Sequence, residues 1–126
     1  VRDVNSISPI AVLEYAGRRI VLTGDATTET EEYFMSLLSP LESLKTDVLK
    51  VGHHGANSST SKEFVNFLQP DYAIISVGVI NIVHPHASVL KTLREAYAKI
   101  YRTDHNGAIS VRIAQNGDME LYFEKP

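Results

Sequence analysis

The chain has 126 residues, 44% of them apolar and 21% charged, with a net charge of -3 and no cysteine. That length and composition suit a single globular domain spanning residues 1–126 and exclude a disordered or fibrous chain. The weak negative charge excludes a broad basic field for nucleic acid, the missing cysteines exclude disulfides and thiolate metal sites, and no apolar run approaches the roughly 18 residues of a membrane span. The chain begins at Val1 rather than Met and is read as a piece of something longer, or as processed.

Ile10 to Tyr15 and Arg19 to Leu22 are apolar runs parted by Ala16-Gly17-Arg18, which predicts a hairpin whose second strand delivers Asp25. Thr28 and Glu31 have capping-box spacing, and Tyr33, Phe34, Leu37 and Leu38 supply an apolar stripe for a helix ending near Pro40. Asp47 to Val51 predicts a short strand running into Gly52-His53-His54-Gly55. After a Ser-rich loop, Thr60 and Glu63 repeat the capping-box spacing ahead of a helix carrying Phe64, Phe67 and Leu68 and stopped by Pro70. Tyr72 to Val77 is the most strand-like run, and the loop beyond Gly78 carries Asn81, His84 and His86.

Ser88 to Tyr97 has helical spacing, and Lys99 to Arg102 reads as a short strand. Asn106-Gly107 is a hairpin turn signal, and Ala108 to Ala114 is expected to pair with Met119 to Phe123 across Asn116-Gly117. The expected order is ββαβαβαβββ, an α/β fold.

Thr23-Gly24-Asp25, His53-His54-Gly55 and His84-Pro85-His86 each follow a predicted strand. If the three strands are parallel neighbours, the loops leaving them meet at one edge, where open α/β sheets place their sites. Carboxylate and neutral imidazole are the donors zinc-like ions prefer, and a catalytic ion needs about three protein ligands plus water. Asp25 is either a ligand or the N-cap of the following helix. Two adjacent histidines flanked by glycine point to a ligand or substrate contact, since neither is suited to fill a core. His84 and His86 divide evenly between site and loop brace, while His105, beside a predicted turn, is expected at the surface. Asn5, Ser6 and Ser8 are explained by turn chemistry, as are Ser58 and Ser59. No Gly-x-Ser-x-Gly elbow supports a serine hydrolase.

Taken with Asn5-Ser6-Ile7-Ser8, Leu49-Lys50-Val51 before the histidine pair, Ser76-Val77-Gly78 and Arg102-Thr103-Asp104, these motifs resemble the C-terminal part of the metallo-β-lactamase-fold domain of the ComEC DNA-uptake competence family. The resemblance runs nearly end to end. It implies a mixed β-sheet with helices on one face, half of an αββα sandwich. It also implies a metal-dependent hydrolase, a phosphodiesterase or nuclease acting on DNA, with two divalent ions (zinc or manganese) in the parent. Asp25 then matches a carboxylate bridging both ions, His54 a distal-site ligand and His53 a group near the substrate phosphate, the roles of the two histidines being interchangeable. His84 matches a family histidine on either the metal or the substrate side, and Asn81 and Asn5 fall on the substrate side.

This chain departs from the family at two points. The His-rich ligand motif lies upstream of the segment, so the segment alone is expected to be inactive, and Ala56 stands where serine is common. The parent is expected at a bacterial cell membrane, with this segment in a soluble compartment and making no membrane contact. The sheet face normally covered by the other half is expected to pair two isolated copies as a homodimer. The rivals are a non-catalytic interaction module and a hydrolase of another ester, such as a lactone or phosphorylcholine.

Overall fold

Strands β1 (Ala11–Tyr15) and β2 (Arg18–Leu22) pair antiparallel, Ala11 opposite Leu22 and Tyr15 opposite Arg18, around a two-residue turn at Ala16-Gly17. The computed structural model describes residues 7–80 and 83–125. β2 is followed by three parallel neighbours, β3 (Val48–Lys50), β4 (Tyr72–Ile75) and β5 (Lys99–Arg102), in the sheet order β1-β2-β3-β4-β5. The sheet is therefore mixed. Helices α1 (Thr28–Leu37), α2 (Lys62–Leu68) and α3 (Ala87–Glu95) make the crossovers. Right-handed crossovers taken in sequential order put all three on one face.

Strand alternation decides what each face carries. Val21, Leu49 and Ala73 stand in register across β2, β3 and β4, and all are fully buried against Phe64, Leu68, Val89 and Leu93 of the helices. Each such valine, leucine or phenylalanine side chain contributes about 1.5–3 kcal/mol by leaving water. Phe34 of α1 meets Phe64 of α2 edge-on at 6.0 Å.

The other face takes a separate antiparallel hairpin, β6 (Ile109–Ile113) with β7 (Met119–Phe123), whose Phe123 ring lies 4.5 Å from Tyr101 of β5. Arg18 ties that hairpin to the sheet, donating from Nε to Gly117 O at 2.7 Å while Nη1 pairs with Asp47 at 3.0 Å. Leu13, Tyr15 and Leu22 share the register of this face and stay 52%, 52% and 38% exposed.

Three local expectations differ from the fold. Asn106-Gly107 is not a hairpin turn. β5 joins the parallel sheet, a helical turn α4 (Thr103–Asn106) follows, and Asn106 Oδ1 accepts from Arg102 N at 3.2 Å. Gly107, at φ 68°, is required by close approach, because a Cβ there would lie 2.9 Å from Glu124 Cβ. Neither capping box forms. Thr27 holds the N-cap position of α1 with no side-chain cap bond, and α2 is capped by Ser61, whose Oγ accepts from Phe64 N at 3.2 Å. Glu31 instead turns inward, fully buried, where it accepts from the Ser61 N–H at 2.9 Å and from the Thr60 N–H. Loop N–H groups taken into the interior need an acceptor more than a solvent-facing cap does, and the carboxylate goes to them.

Candidate functional site

Parallel pairing of β2 with β3, with Leu22 opposite Lys50, and of β3 with β4 brings three loops to one rim of the sheet. The expectation that they meet is met directly. His53 N donates to Gly24 O at 2.9 Å, joining the histidine turn to the Asp25 loop, and His86 N donates to Gly55 O at 2.9 Å, joining it to the third loop. Ser59 Oγ reaches Ala26 O, and Thr23 Oγ1 donates to Lys50 O at 2.6 Å.

The Gly52–Gly55 turn carries two consecutive left-handed residues, His53 at φ 48°, ψ 45° and His54 at φ 58°, ψ 22°. Side-chain-bearing residues adopt this region at a cost of roughly 1–2 kcal/mol each, and such strain concentrates at functional sites. Gly55 (φ 85°) lets the third loop close over the turn, since a Cβ there would sit 2.5 Å from Pro85 Cβ. Gly55→Ala is accordingly expected to destabilise the protein by about 2–4 kcal/mol, combining backbone strain with overpacking. A wild-type midpoint in chemical denaturation would show that Pro85 yields without penalty.

His54 is exposed, and its Nδ1 lies 2.7 Å from Ser76 O. A carbonyl can only accept, so in the neutral ring Nδ1 holds the proton and Nε2 keeps its lone pair, the arrangement of a metal-binding imidazole braced from behind. The His53 ring stands between the other two, 6.2 Å from His54 and 6.1 Å from His84. Its Nδ1 is buried with no hydrogen-bond partner among the described residues.

Asp25 is half-buried, and its backbone N donates to Ser8 Oγ at 3.0 Å. It does not cap α1, because Thr27 holds that position. Lys50, at the end of β3, is half-buried beside it. Burial pushes the Lys50 ammonium below its ordinary value, and the Asp25 carboxylate opposes that shift.

His86 is a brace, its Nδ1 accepting from Ser88 N at 3.1 Å as the N-cap of α3. His105 is exposed, as expected. Asn5 and Asn81 lie outside the described residues. A cavity of about 570 Å³ at the opposite end of the strands, around Arg18, Arg19 and Asp47, is a poor rival: its arginines are already paired with Asp47 and Glu14.

Residues 9–79 match the family described as the metallo-beta-lactamase superfamily. The chain belongs to that superfamily. It is 43% identical over 109 residues to ComE operon protein 3 of Bacillus subtilis, covering 86% of this chain and 14% of that protein. Competence protein ComA of Neisseria gonorrhoeae is 34% identical over 116 residues, covering 91% of this chain and 16% of that protein. Recombination protein 2 of Haemophilus influenzae is 35% identical over 116 residues, covering 91% and 14%. These relatives are ComEC-family proteins, and the chain corresponds to a small part of their length.

Among the described residues no three His, Cys, Asp or Glu side chains form a group able to hold a metal ion. The donors at the rim nevertheless fit part of such a set: a carboxylate, an imidazole braced so that Nε2 is free to coordinate, and a neighbouring imidazole with an orphaned nitrogen. No described helix is long and apolar enough to cross a membrane.

Sequence reasoning passed over three residues here. Lys50 lies inside the Leu49-Lys50-Val51 motif, where nothing local gives it a role. Glu31 has the spacing of a cap, which carries no sign that it faces inward. Thr103 touches the site only through the backbone of another loop.

Proposed function

We propose that this chain is part of a divalent-metal phosphodiesterase that cleaves DNA during competence-linked DNA uptake. The observation carrying the reading is the His54 ring, strained in backbone and locked by Ser76 O, on the same rim as the Asp25 loop. The likeness to ComEC-family relatives, one of them named a competence protein, supports the competence side of it.

In this reading Asp25 and His54 are metal ligands, and His53, between His54 and His84, faces the phosphodiester. A divalent ion held there supplies acidified water and neutralises charge developing on the phosphoryl oxygens. The protein's part is positional: Gly24 O and Ser76 O hold the two histidines, while the Lys50 ammonium adds positive charge beside Asp25. Among the described residues the chain offers fewer than the three protein ligands a catalytic ion needs, so in this reading it is inactive alone, the remaining ligands coming from elsewhere in the parent. The parent resides at the cell membrane.

Elemental analysis and DNA cleavage by the intact protein test this, with lactone and phosphorylcholine esters as competing substrates. A metal-free wild type, or a preference for either ester, would end the DNA reading.

The isolated chain is further proposed to form a homodimer through the sheet face bearing Leu13, Tyr15 and Leu22. Light scattering at micromolar concentration should return twice the chain mass. A stable monomer overturns this.

A further inference from the structure

The peptide unit between Ser76 and Val77 is gripped at both ends. Its carbonyl oxygen accepts the His54 Nδ1 proton at 2.7 Å, and its N–H donates to Thr103 Oγ1 at 2.8 Å. The Thr103 hydroxyl donates onward to Val77 O at 2.9 Å, so its proton is already committed and its lone pair faces the Val77 N–H. Three loops therefore converge on one peptide: those after β3, β4 and β5. The peptide is planar, so fixing its N–H also fixes where its carbonyl points. A hydrogen bond at the N–H also polarises the carbonyl and strengthens it as an acceptor.

We infer that Thr103 is a positioning residue for His54, setting the imidazole tautomer and aim through the Ser76–Val77 peptide. It does not touch the reacting groups. Without the hydroxyl, the Val77 N–H loses its partner and the peptide is free to rotate away from His54. The ring then gains access to the other tautomer, with the proton on Nε2 and no lone pair left for a metal. Arg102 and Asp104 on either side form a fork of their own, Nε to Oδ1 at 3.0 Å and Nη2 to Oδ2 at 2.7 Å, which holds the turn bearing Thr103. This inference rests on His54 being the ligand named under the proposed function.

The test compares Thr103→Val, which keeps the shape and drops the hydroxyl, with Thr103→Ser, which keeps the hydroxyl. Histidine-selective 15N NMR of the intact, metal-free protein reads the tautomer, with His54→Gln identifying the resonance, and titration with zinc reads affinity. Wild type and Thr103→Ser are expected to hold the Nδ1–H form. Thr103→Val should lose it and bind zinc about tenfold more weakly, the low end of effects seen on removing outer-shell partners.

A wild-type ring protonated on Nε2 overturns the inference whether or not any variant folds. So does a Thr103→Val protein that melts earlier yet keeps the wild-type tautomer and affinity, or a Thr103→Ser protein that loses them. A wild type that shows the Nδ1–H form and the Thr103 dependence but leaves DNA uncut supports this inference and overturns the nuclease reading.

Discussion

Asp25→Asn in the intact protein is expected to lower DNA cleavage by about a hundredfold or more while leaving the fold in place. Removing even an outer-shell partner of a metal ligand costs 10- to 100-fold, and loss of a ligand charge should be at least as severe. The fold should survive because the local anchor is made by the backbone. Asp25 N donates to Ser8 Oγ, and Gly24 O accepts from His53 N, and neither bond uses the carboxylate. Asparagine has the same shape, so stability should change by less than about 1 kcal/mol. The Lys50 ammonium, already disfavoured by burial, would lose the nearby carboxylate charge that favours it. Cleavage assays, metal content and chemical denaturation together decide the matter. Wild-type cleavage and metal content in Asp25→Asn would remove Asp25 from the site.

Glu31→Ala is expected to destabilise the protein by about 3–5 kcal/mol, since it strands one buried and one half-buried backbone donor at about 1–3 kcal/mol each and leaves a cavity. Those donors, Thr60 N and Ser61 N, belong to the loop that follows the histidine turn, and Ser59 of the same loop reaches Ala26 O beside Asp25. Loss of Glu31 should therefore loosen the rim as well as the core. Burial pushes the Glu31 carboxyl above 4.5, with the two backbone N–H bonds opposing that shift. The folded state thus holds this proton to higher pH than the unfolded chain does. Its contribution to stability is fully present below about pH 4.5 and is lost as pH rises through the raised value. The stability of wild type relative to Glu31→Gln, measured by urea unfolding across that range, should fall with increasing pH. A flat or rising difference would mean that the carboxyl is not desolvated.

Patterns with short range were legible in the sequence. The apolar runs at β2, β3 and β4, the helical stripes of α1 to α3 and the Asn116-Gly117 turn all follow from neighbouring residues, and each forms. The placement of Asp25 and the histidine pair at strand ends followed too, because strand direction and loop position are set by connectivity. Asn106-Gly107 failed for the same local reason that made it attractive. The dipeptide suits a hairpin, but pairing of β5 with β4 packs Ile100, half-buried, against the core and commits the preceding strand to a different sheet.

By itself, then, the sequence determined which donors this protein owns, an acid and a histidine pair at glycine-marked strand ends, and the order of elements that carries them to one rim. Only the tertiary structure decided how those donors are held. Glu31 faces inward, His86 caps a helix rather than joining the site, and the peptide that contacts His54 Nδ1 is held at its N–H by Thr103 of the turn after β5. Donor type is written residue by residue. Burial and hydrogen-bond partnership depend on which distant segments arrive alongside, and no spacing rule records that.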